Sequence, residues 1–363
     1  MKISIIRGAF LNPFELQNYY PLKDDFDIQA ISSKHPISSR IKLSLINLWS
    51  PTDLPNLPFK FQILNRIFID AQKLFGLEKA LRGSDIAHVA ETYFGYTHQA
   101  ILAKRRGVIK KVISTVWETI PFNNEGIFGR KRYKNFAKEN IDHFIAVTDR
   151  AKKALIKEGV KDEKISVVKM GIDISRFLPT QKNKKSDHIN ILCVARLTEE
   201  KGIADLLKAF LKIREKNLKI WLTYIGNGPL KNDIRGYKNV IVKQVPYDKI
   251  HLEYQKADIF CLPSRSTKTW EEQYGMCLVE AMASGLPILT TDTGAISEVC
   301  SDVALYSPQR NPRALQKNLE YLIYNQDVRK ELGKKSRKRA EEEFDHEKIA
   351  LQIKEIYNKV TCR

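Results

Sequence analysis

The sequence predicts an α/β protein of two doubly wound, mainly parallel domains facing a shared cleft. Three observations carry that expectation. Short runs of β-formers alternate with segments of helical character. A polar, charged stretch, KNKKSDH (182–188), interrupts the alternation once. Beyond it the same alternation restarts.

In the first half the β-rich runs are KISIIR (2–7), SDIAHVA (84–90), KKVISTVW (110–117), HFIAVT (143–148) and KISVVK (164–169), spaced by segments such as AKKALIKEG (151–159). The second half repeats the scheme with NILCVA (190–195), LKIWLTYIG (218–226), NVIVKQ (239–244), ADIFCLP (257–263) and PILTTD (287–292). Residues 311–363 read as helices: RKELGKKSRKRAEEEF is rich in helix formers with opposite charges at helical spacing, and IALQIKEIYNKV keeps an apolar stripe. The expected domains are therefore 1–180, joined by the C-terminal helix 345–363, and 186–344. Ligands of such sheets bind beyond the carboxyl ends of the strands, so the loops directly after strands are where chemistry is sought.

Composition narrows the class of protein. At 363 residues, 43% hydrophobic and 28% charged, the chain has the balance of a soluble globular protein. Neither a signal peptide nor an apolar run of about 18 residues is apparent, so the expectation is a cytoplasmic protein without membrane spans. Five cysteines, Cys193, Cys261, Cys277, Cys300 and Cys362, form no Cys-x-x-Cys pair and read as reduced and metal-free. A net charge of +19 favours an anionic partner: nucleic acid, acidic headgroups or a phosphorylated small molecule. A solvated, lysine-rich surface is the plainer reading of the same charge.

The segment EEQYGMCLVEAMASGLPILTTDTG (271–294) concentrates the chemistry. A loop follows the strand ADIFCLPS, then an apolar helix from about Met276 to Ser284, ended by Gly285. Gly275 thus sits at a strand-to-helix crossing, where a missing side chain lets a phosphate approach the amides of Met276 and Cys277 at the positive end of the helix. Glu272 lies in the loop just before, and Glu280 one to two turns into the helix. A carboxylate is a strong acceptor for paired hydroxyls such as those of a ribose or sugar ring. In VARLTEEKG (194–202), Arg196 and Lys201 follow a strand and supply the fork and point charge that a diphosphate leaving group needs. In YIGNGPL (224–230), Gly226 and Gly228 follow the next strand, where backbone can pass close to a nucleotide. Taken singly, each is equally a solvated charge or a tight turn; their shared placement after strands joins them.

This array resembles the retaining glycosyltransferases of family four, which have the GT-B fold. The family's E-x7-E signature is matched by Glu272 and Glu280 within EQYGMCLVEAMASGLPIL, its GR-x4-KG region by ARLTEEKG, and its G-x-G-P by GNGP. The stretch 146–177 resembles the family's approach to the interdomain linker and closes on Gly171, Ile172, Asp173 and Phe177. TGAISEV (293–299) resembles a G-G-x-x-E element with alanine at the second glycine. The resemblance covers most of residues 140–345 and is loose over the first 110.

It implies that Arg196 and Lys201 hold the donor diphosphate, Glu280 the ribose hydroxyls, Glu272 a hydroxyl of the transferred sugar, and the amides near Gly275, Met276 and Cys277 the distal phosphate. It also implies that no cofactor or divalent metal is needed, since basic side chains and the helix dipole replace one. Transfer would proceed with retention, by front-side attack, from a GDP- or UDP-linked sugar to a glycan or lipid-linked acceptor.

Departures concentrate in the first half. Trp117, followed by Glu118, stands where many relatives carry a histidine near the donor sugar. His88 and Glu91 match an H-x-H-E-like element in which Ala90 replaces the second histidine, and RGAFLNPFE (7–15) keeps Gly8 but lacks the usual Gly-Gly pair. Gly8, His88, Glu91, Trp117 and Glu118 are the acceptor-side candidates. The stretch GIFGRKRYKNFAKENIDHF (126–144) mixes aromatics with Arg130, Lys131, Arg132, Lys134 and Lys138, a composition suited to a helix resting on anionic headgroups or to an amphipathic helix packed on the sheet. Two other classes stay in view: a nucleotide-sugar-binding relative without transfer activity, and a basic nucleic-acid-binding protein. The latter lacks aromatic platforms, zinc spacing or a helix-turn-helix signature, so no nucleic acid partner is expected.

Overall fold

The computed structural model describes residues 1–55, 58–179, 188–216 and 219–362. They form two compact units: Met1–Gly171 with the last helix, His346–Thr361, and Ile172–Asp345.

The first unit is a parallel sheet in the order β3-β2-β1-β4-β5-β6-β7. Its strands are β1 (Lys2–Gly8), β2 (Asp27–Ser33), β3 (Ser44–Leu48), β4 (Ile86–Ala90), β5 (Lys111–Val116), β6 (His143–Ala146) and β7 (Ile165–Val167). Runs rich in Ile and Val form them because both faces are covered, as parallel sheets require. On one face Ile3, Ile5 and Ile113 pack with Leu16, Tyr19 and, from the last helix, Ile353 and Tyr357. On the other, Ile6, Val89 and Val112 pack with Leu74, Tyr96 and Ile101. Each such side chain, fully buried, contributes about 1.5–3 kcal/mol relative to exposure. β2 and β3 escape a reading by hydrophobic runs because their polar residues are paired internally: Gln29 donates to Ser4 Oγ at 2.8 Å and Ser32 to Asn47 Oδ1 at 2.8 Å.

The second unit repeats the plan in the order β10-β9-β8-β11-β12-β13, all parallel. Here the strands are β8 (Ile189–Val194), β9 (Ile220–Ile225), β10 (Val240–Lys243), β11 (Ile259–Leu262), β12 (Ile288–Thr291) and β13 (Ala304–Ser307). The order in which strands are added reverses between β8 and β11, which lie parallel with Ile191 beside Ile259 and Leu192 beside Phe260. Such a switch point opens a crevice beyond the carboxyl ends of its two strands.

The expected boundary near residue 180 shifts to Gly171/Ile172. Residues 172–179 are tied to the second unit: the Ile172 amide donates to the Phe344 carbonyl at 2.8 Å, Phe177 is fully buried, and Arg337 donates to the Phe177 carbonyl at 2.7 Å. The polar stretch 182–188 lies, apart from His188, outside the described residues.

Candidate functional site

At the switch point of the second unit, two post-strand loops are pressed together. The loop after β8 ends at Gly202, in the left-handed region with φ +67°, where a Cβ would stand 1.9 Å from the Pro263 carbonyl oxygen of the loop after β11. Only glycine permits that approach. Its consequence is to set Lys201 against Glu272: Nζ to Oε2 is 2.6 Å, with both side chains largely buried. The same carboxylate oxygen accepts from Ser264 Oγ at 2.9 Å, and the ammonium lies 4.8 Å from the centre of the Trp270 ring. A cation and an anion so enclosed depend on each other, because removing either leaves an uncompensated charge.

The Glu272 backbone is held as firmly. Its carbonyl accepts from the Ala295 amide at 2.8 Å, and Gly294, with φ +59°, passes so close that a Cβ would lie 2.0 Å from the same oxygen. Residue 295 has a negative φ of −95°, so alanine in place of a second glycine costs nothing in backbone terms. Arg265 ties the loop down further, donating to Asp205 Oδ2 at 2.7 Å from its Nε and to the Glu200 carbonyl at 2.7 Å from its backbone amide.

The helix expected from Met276 spans Met276–Ala283, capped by Gly275 at φ +82° and followed by Ser284 and the left-handed Gly285. Its first amides lack intrahelical partners, and with the helix dipole they favour an anion. Glu280 is buried one turn in and accepts from the Tyr254 hydroxyl at 2.6 Å. Burial pushes its carboxyl up to about 7, against hydrogen bonds from Tyr254 and Tyr247 and the charge of Arg176. Arg176 in turn stacks on the Tyr247 ring at 4.4 Å. Near neutral pH, Glu280 thus switches between accepting hydrogen bonds only and also donating one.

Arg196 stands apart from this buried cluster. Its side chain is 63% exposed and reaches Glu200 at 3.3 Å, an arrangement free to re-aim. Gly226 and Gly228 turn their side-chain positions toward protein backbone: a Cβ at Gly226 would be 1.9 Å from the Ala195 carbonyl oxygen, and one at Gly228 2.4 Å from that of Leu197. The first job of both is to let the loops after β8 and β9 nest, placing Arg196 in its turn.

In the first unit Gly8 is the last residue of β1, at φ +53°, and a Cβ there would lie 2.5 Å from Gln72 Oε1, which accepts from the Ala9 amide at 3.0 Å. Glu91, directly after β4, adopts φ +57°, unusual for a residue with a side chain. Its Oε1 accepts from the amides of Trp117 (2.8 Å) and Glu118 (3.2 Å), which joins three of the sequence candidates. Burial, with Glu118 adding to it, pushes the Glu91 carboxyl up to about 8. Burial also raises Glu118, which accepts from the Ile120 amide and the Asn123 side chain.

His88 leaves the list of acceptor-side candidates. It is fully buried, its Nδ1 lies 2.6 Å from the Tyr357 hydroxyl and its Nε2 2.8 Å from Thr115 Oγ1, and burial followed by the Arg7 charge lowers it far below the usual imidazole range. It has neither an open nitrogen nor a charge to offer. Arg7 itself is fully buried, donating to Glu15 Oε1 at 2.6 Å and to the Tyr19 hydroxyl at 3.0 Å.

The sequence reading passed over Ser264, Trp270 and Tyr254, and gave Gly202 and Gly294 only their places in the KG and G-G-x-x-E matches. The two glycines carried a readable signal, since each precedes a helical run directly after a strand or loop; the other three are common residue types whose role depends on a fold-level meeting. Among the described residues no helix is long and apolar enough to cross a membrane, and no group of three or more His, Cys, Asp or Glu is placed to hold a metal ion.

Comparison with known proteins fits this geometry. The family model described as "Glycosyl transferases group 1" matches residues 175–339, and "Glycosyltransferase Family 4" matches residues 45–176. The chain is 27% identical over 261 residues to a putative colanic acid biosynthesis glycosyltransferase of Escherichia coli, a match covering 68% of this chain and 64% of that protein. It is 27% identical over 262 residues to a capsular polysaccharide biosynthesis glycosyltransferase of Staphylococcus aureus, covering 64% and 67%. The chain thus spans about two thirds of the length of these relatives. The crystal structure of Anabaena Alr3699/HepE in complex with UDP and glucose superposes with a TM-score of 0.76 at 15% identity, covering 99% of this chain and 100% of that one. The architecture is the GT-B fold.

Proposed function

Since the chain belongs to the group 1 glycosyl transferases, we propose that it moves a sugar from a nucleoside diphosphate, GDP- or UDP-linked, to a glycan or lipid-linked acceptor, with retention and without a metal ion. The observation that carries this reading is the Lys201–Glu272 pair, 2.6 Å apart at the switch point of a parallel sheet, with Glu272 three residues ahead of the Gly275 cap of an anion-favouring helix. A diphosphate placed there gives Lys201 a second anion to face and frees Glu272 for a sugar hydroxyl. In this reading Arg196 swings from Glu200 onto the diphosphate, the amides of Met276 and Cys277 hold the distal phosphate, and Glu280 takes the ribose hydroxyls. Gly226 and Gly228 keep the loop low enough for the nucleotide to lie over it.

Group transfer then balances as follows. The bond between the sugar's anomeric carbon and the phosphate oxygen breaks, and the acceptor oxygen bonds to the same face of that carbon. The acceptor's proton passes to the departing phosphate oxygen. Lys201 and Arg196 neutralise the charge that accumulates on the diphosphate, the stage at which fixed positive groups lower the barrier most. Relatives named for colanic acid biosynthesis in E. coli and for capsular polysaccharide biosynthesis in S. aureus support a glycan as the acceptor. Metal-free incubation with radiolabelled donors tests the reading: transfer or slow donor hydrolysis, lost in Lys201→Met, is expected. Tight donor binding with neither reaction would make the chain a binding relative instead.

A further inference from the structure

We propose that Trp270 reads the transferred sugar, its indole forming the apolar wall against which a neutral pyranose lays its C–H face. In the donor-site reading, on which this inference rests, Lys201 faces the diphosphate and Glu272 takes a sugar hydroxyl, while Trp270 has no part. The indole borders both of those groups. Its centre is 4.8 Å from the Lys201 ammonium, which in turn lies 2.6 Å from Glu272 Oε2. A sugar is joined to its diphosphate through a single oxygen, so a pyranose that reaches Glu272 from a phosphate at Lys201 passes beside this ring.

The chain holds Trp270 in place while leaving it part open. Thr267, Lys268 and Thr269 are exposed, Glu271 and Glu272 are buried, and Trp270 between them is half-buried. Its carbonyl accepts from the Thr267 amide at 2.8 Å, which closes a tight turn. Just ahead, Ser266 is anchored three ways: its amide donates to Gln309 Oε1 at 2.7 Å, its hydroxyl pairs with that of Thr293, and its carbonyl accepts from Arg310 at 3.0 Å. Gln309 also donates to the Asp292 carbonyl at 2.6 Å. The turn is thus fastened to Asp292 and Thr293, directly before the Gly294 that supports the Glu272 backbone. An aromatic wall fixed in advance costs a ligand little in ordering when it binds.

Ring chemistry selects the occupant. The face of an aromatic ring is the negative end of its quadrupole, so it attracts cations and polarised C–H groups and disfavours an anion. Two buried carboxylates, Glu271 and Glu272, follow directly in the chain, and the Lys201 ammonium is already shared between Glu272 and the diphosphate. A hexuronic acid would bring one more carboxylate to this corner. A neutral hexose brings hydroxyls for Glu272 and C–H groups for the indole. A nucleobase would also stack on indole, but the donor's base lies beyond the ribose at Glu280, at the opposite end of the donor from the sugar.

Titration calorimetry on the full chain tests it, comparing wild type with Trp270→Leu and Trp270→Phe. The ligands are UDP with its glucose, galactose, N-acetylglucosamine and glucuronic acid derivatives, and GDP with its mannose and mannuronic acid derivatives. The readout is the ratio of the sugar nucleotide's dissociation constant to that of the free diphosphate. Trp270→Leu should raise this ratio about three- to tenfold for the neutral sugar nucleotide that binds best, while the free diphosphate stays within about twofold of its wild-type affinity. Trp270→Phe, which keeps a ring, should restore most of the ratio, and the uronic acid derivative should bind wild type more weakly than the neutral one. Three results overturn this proposal and leave the donor site in place: an unchanged ratio in Trp270→Leu, equal losses for free diphosphate and sugar nucleotide, or a uronic acid derivative bound as tightly as the best neutral one. A wild type that binds no nucleotide at all would remove the donor-site reading and this proposal with it.

Discussion

Glu280 ties stability and ligand recognition to one proton. Its carboxyl ionises at about 7 in the folded chain instead of near 4.5, because it is buried with only Tyr254, Tyr247 and the Arg176 charge to stabilise the anion. The folded state therefore holds a proton that the unfolded state has released throughout the window between these values. Stability from this group is fully present below 4.5, falls as pH rises through the window, and levels off above 7. The difference amounts to about 3 kcal/mol. Glu280→Gln keeps the volume and an acceptor for the Tyr254 hydroxyl but carries no charge. It should match wild type near pH 4.5 and exceed it near pH 8 by up to about 3 kcal/mol. Glu91 in the first unit pushes in the same direction, to about 8, so the overall slope of wild type is not diagnostic. The difference between wild type and variant is. Urea unfolding of both, from pH 5 to 8, measures it, with the two units resolved as separate transitions if they separate. Parallel stability curves for the two proteins would refute the assignment of the raised carboxyl to Glu280. In the same series, affinity for a nucleoside diphosphate should rise with pH through 7 in wild type and lose that dependence in the variant.

Lys201→Met strands the Glu272 carboxylate and should destabilise the protein by about 3–5 kcal/mol, whereas Lys201→Met/Glu272→Met should recover most of the loss; equal losses in denaturant melts would mean the pair is not coupled. Gly294→Ala must move the Glu272 backbone from a left-handed position, so it should weaken donor binding and cost well over the roughly 1 kcal/mol expected of Gly107→Ala, whose side-chain position is open. Similar melting temperatures for these two variants would remove Gly294 from the support of the site. Arg196→Ala, at an exposed position, should stay within about 0.5 kcal/mol of wild-type stability while lowering diphosphate affinity about tenfold or more, as titration calorimetry would show. Unchanged affinity there would return Arg196 to the solvated surface.

The strand alternation was legible because parallel sheets covered on both faces write themselves as apolar runs, and β1, β4, β8, β9 and β11 all stand within two residues of the runs that announce them. β2 and β3 were not, since Gln29 is paired with Ser4 of β1 and Ser32 with Asn47 of β3 inside the sheet, which gives the sequence a polar look. The helix after Gly275 was readable from its cap and its stop at Gly285. What no linear pattern contains is which loops meet. Lys201 and Glu272 are 71 residues apart, and their contact depends on Gly202 lying against Pro263. His88 shows the converse: a residue that matches a motif in sequence can be committed elsewhere, here to Tyr357 from the far end of the chain. The membrane-facing reading of 126–144 fails for three of its five cations for a similar reason, because Asp70 and Glu158 lie distant in sequence and close in space.

The most direct test of the donor site is a thermal-shift panel of GDP, UDP and their sugar derivatives, run with a chelator on wild type, Glu280→Ala and Arg196→Ala. A ligand at about 100 times its dissociation constant adds roughly 2.7 kcal/mol to the unit that binds it, a shift of several degrees. One nucleoside diphosphate and its sugar should shift wild type fully and each variant by about half as much or less, as an affinity lowered tenfold or more requires. Shifts of full wild-type size in both variants, or none with any nucleotide, would contradict the placement of the donor at the switch point of the second unit.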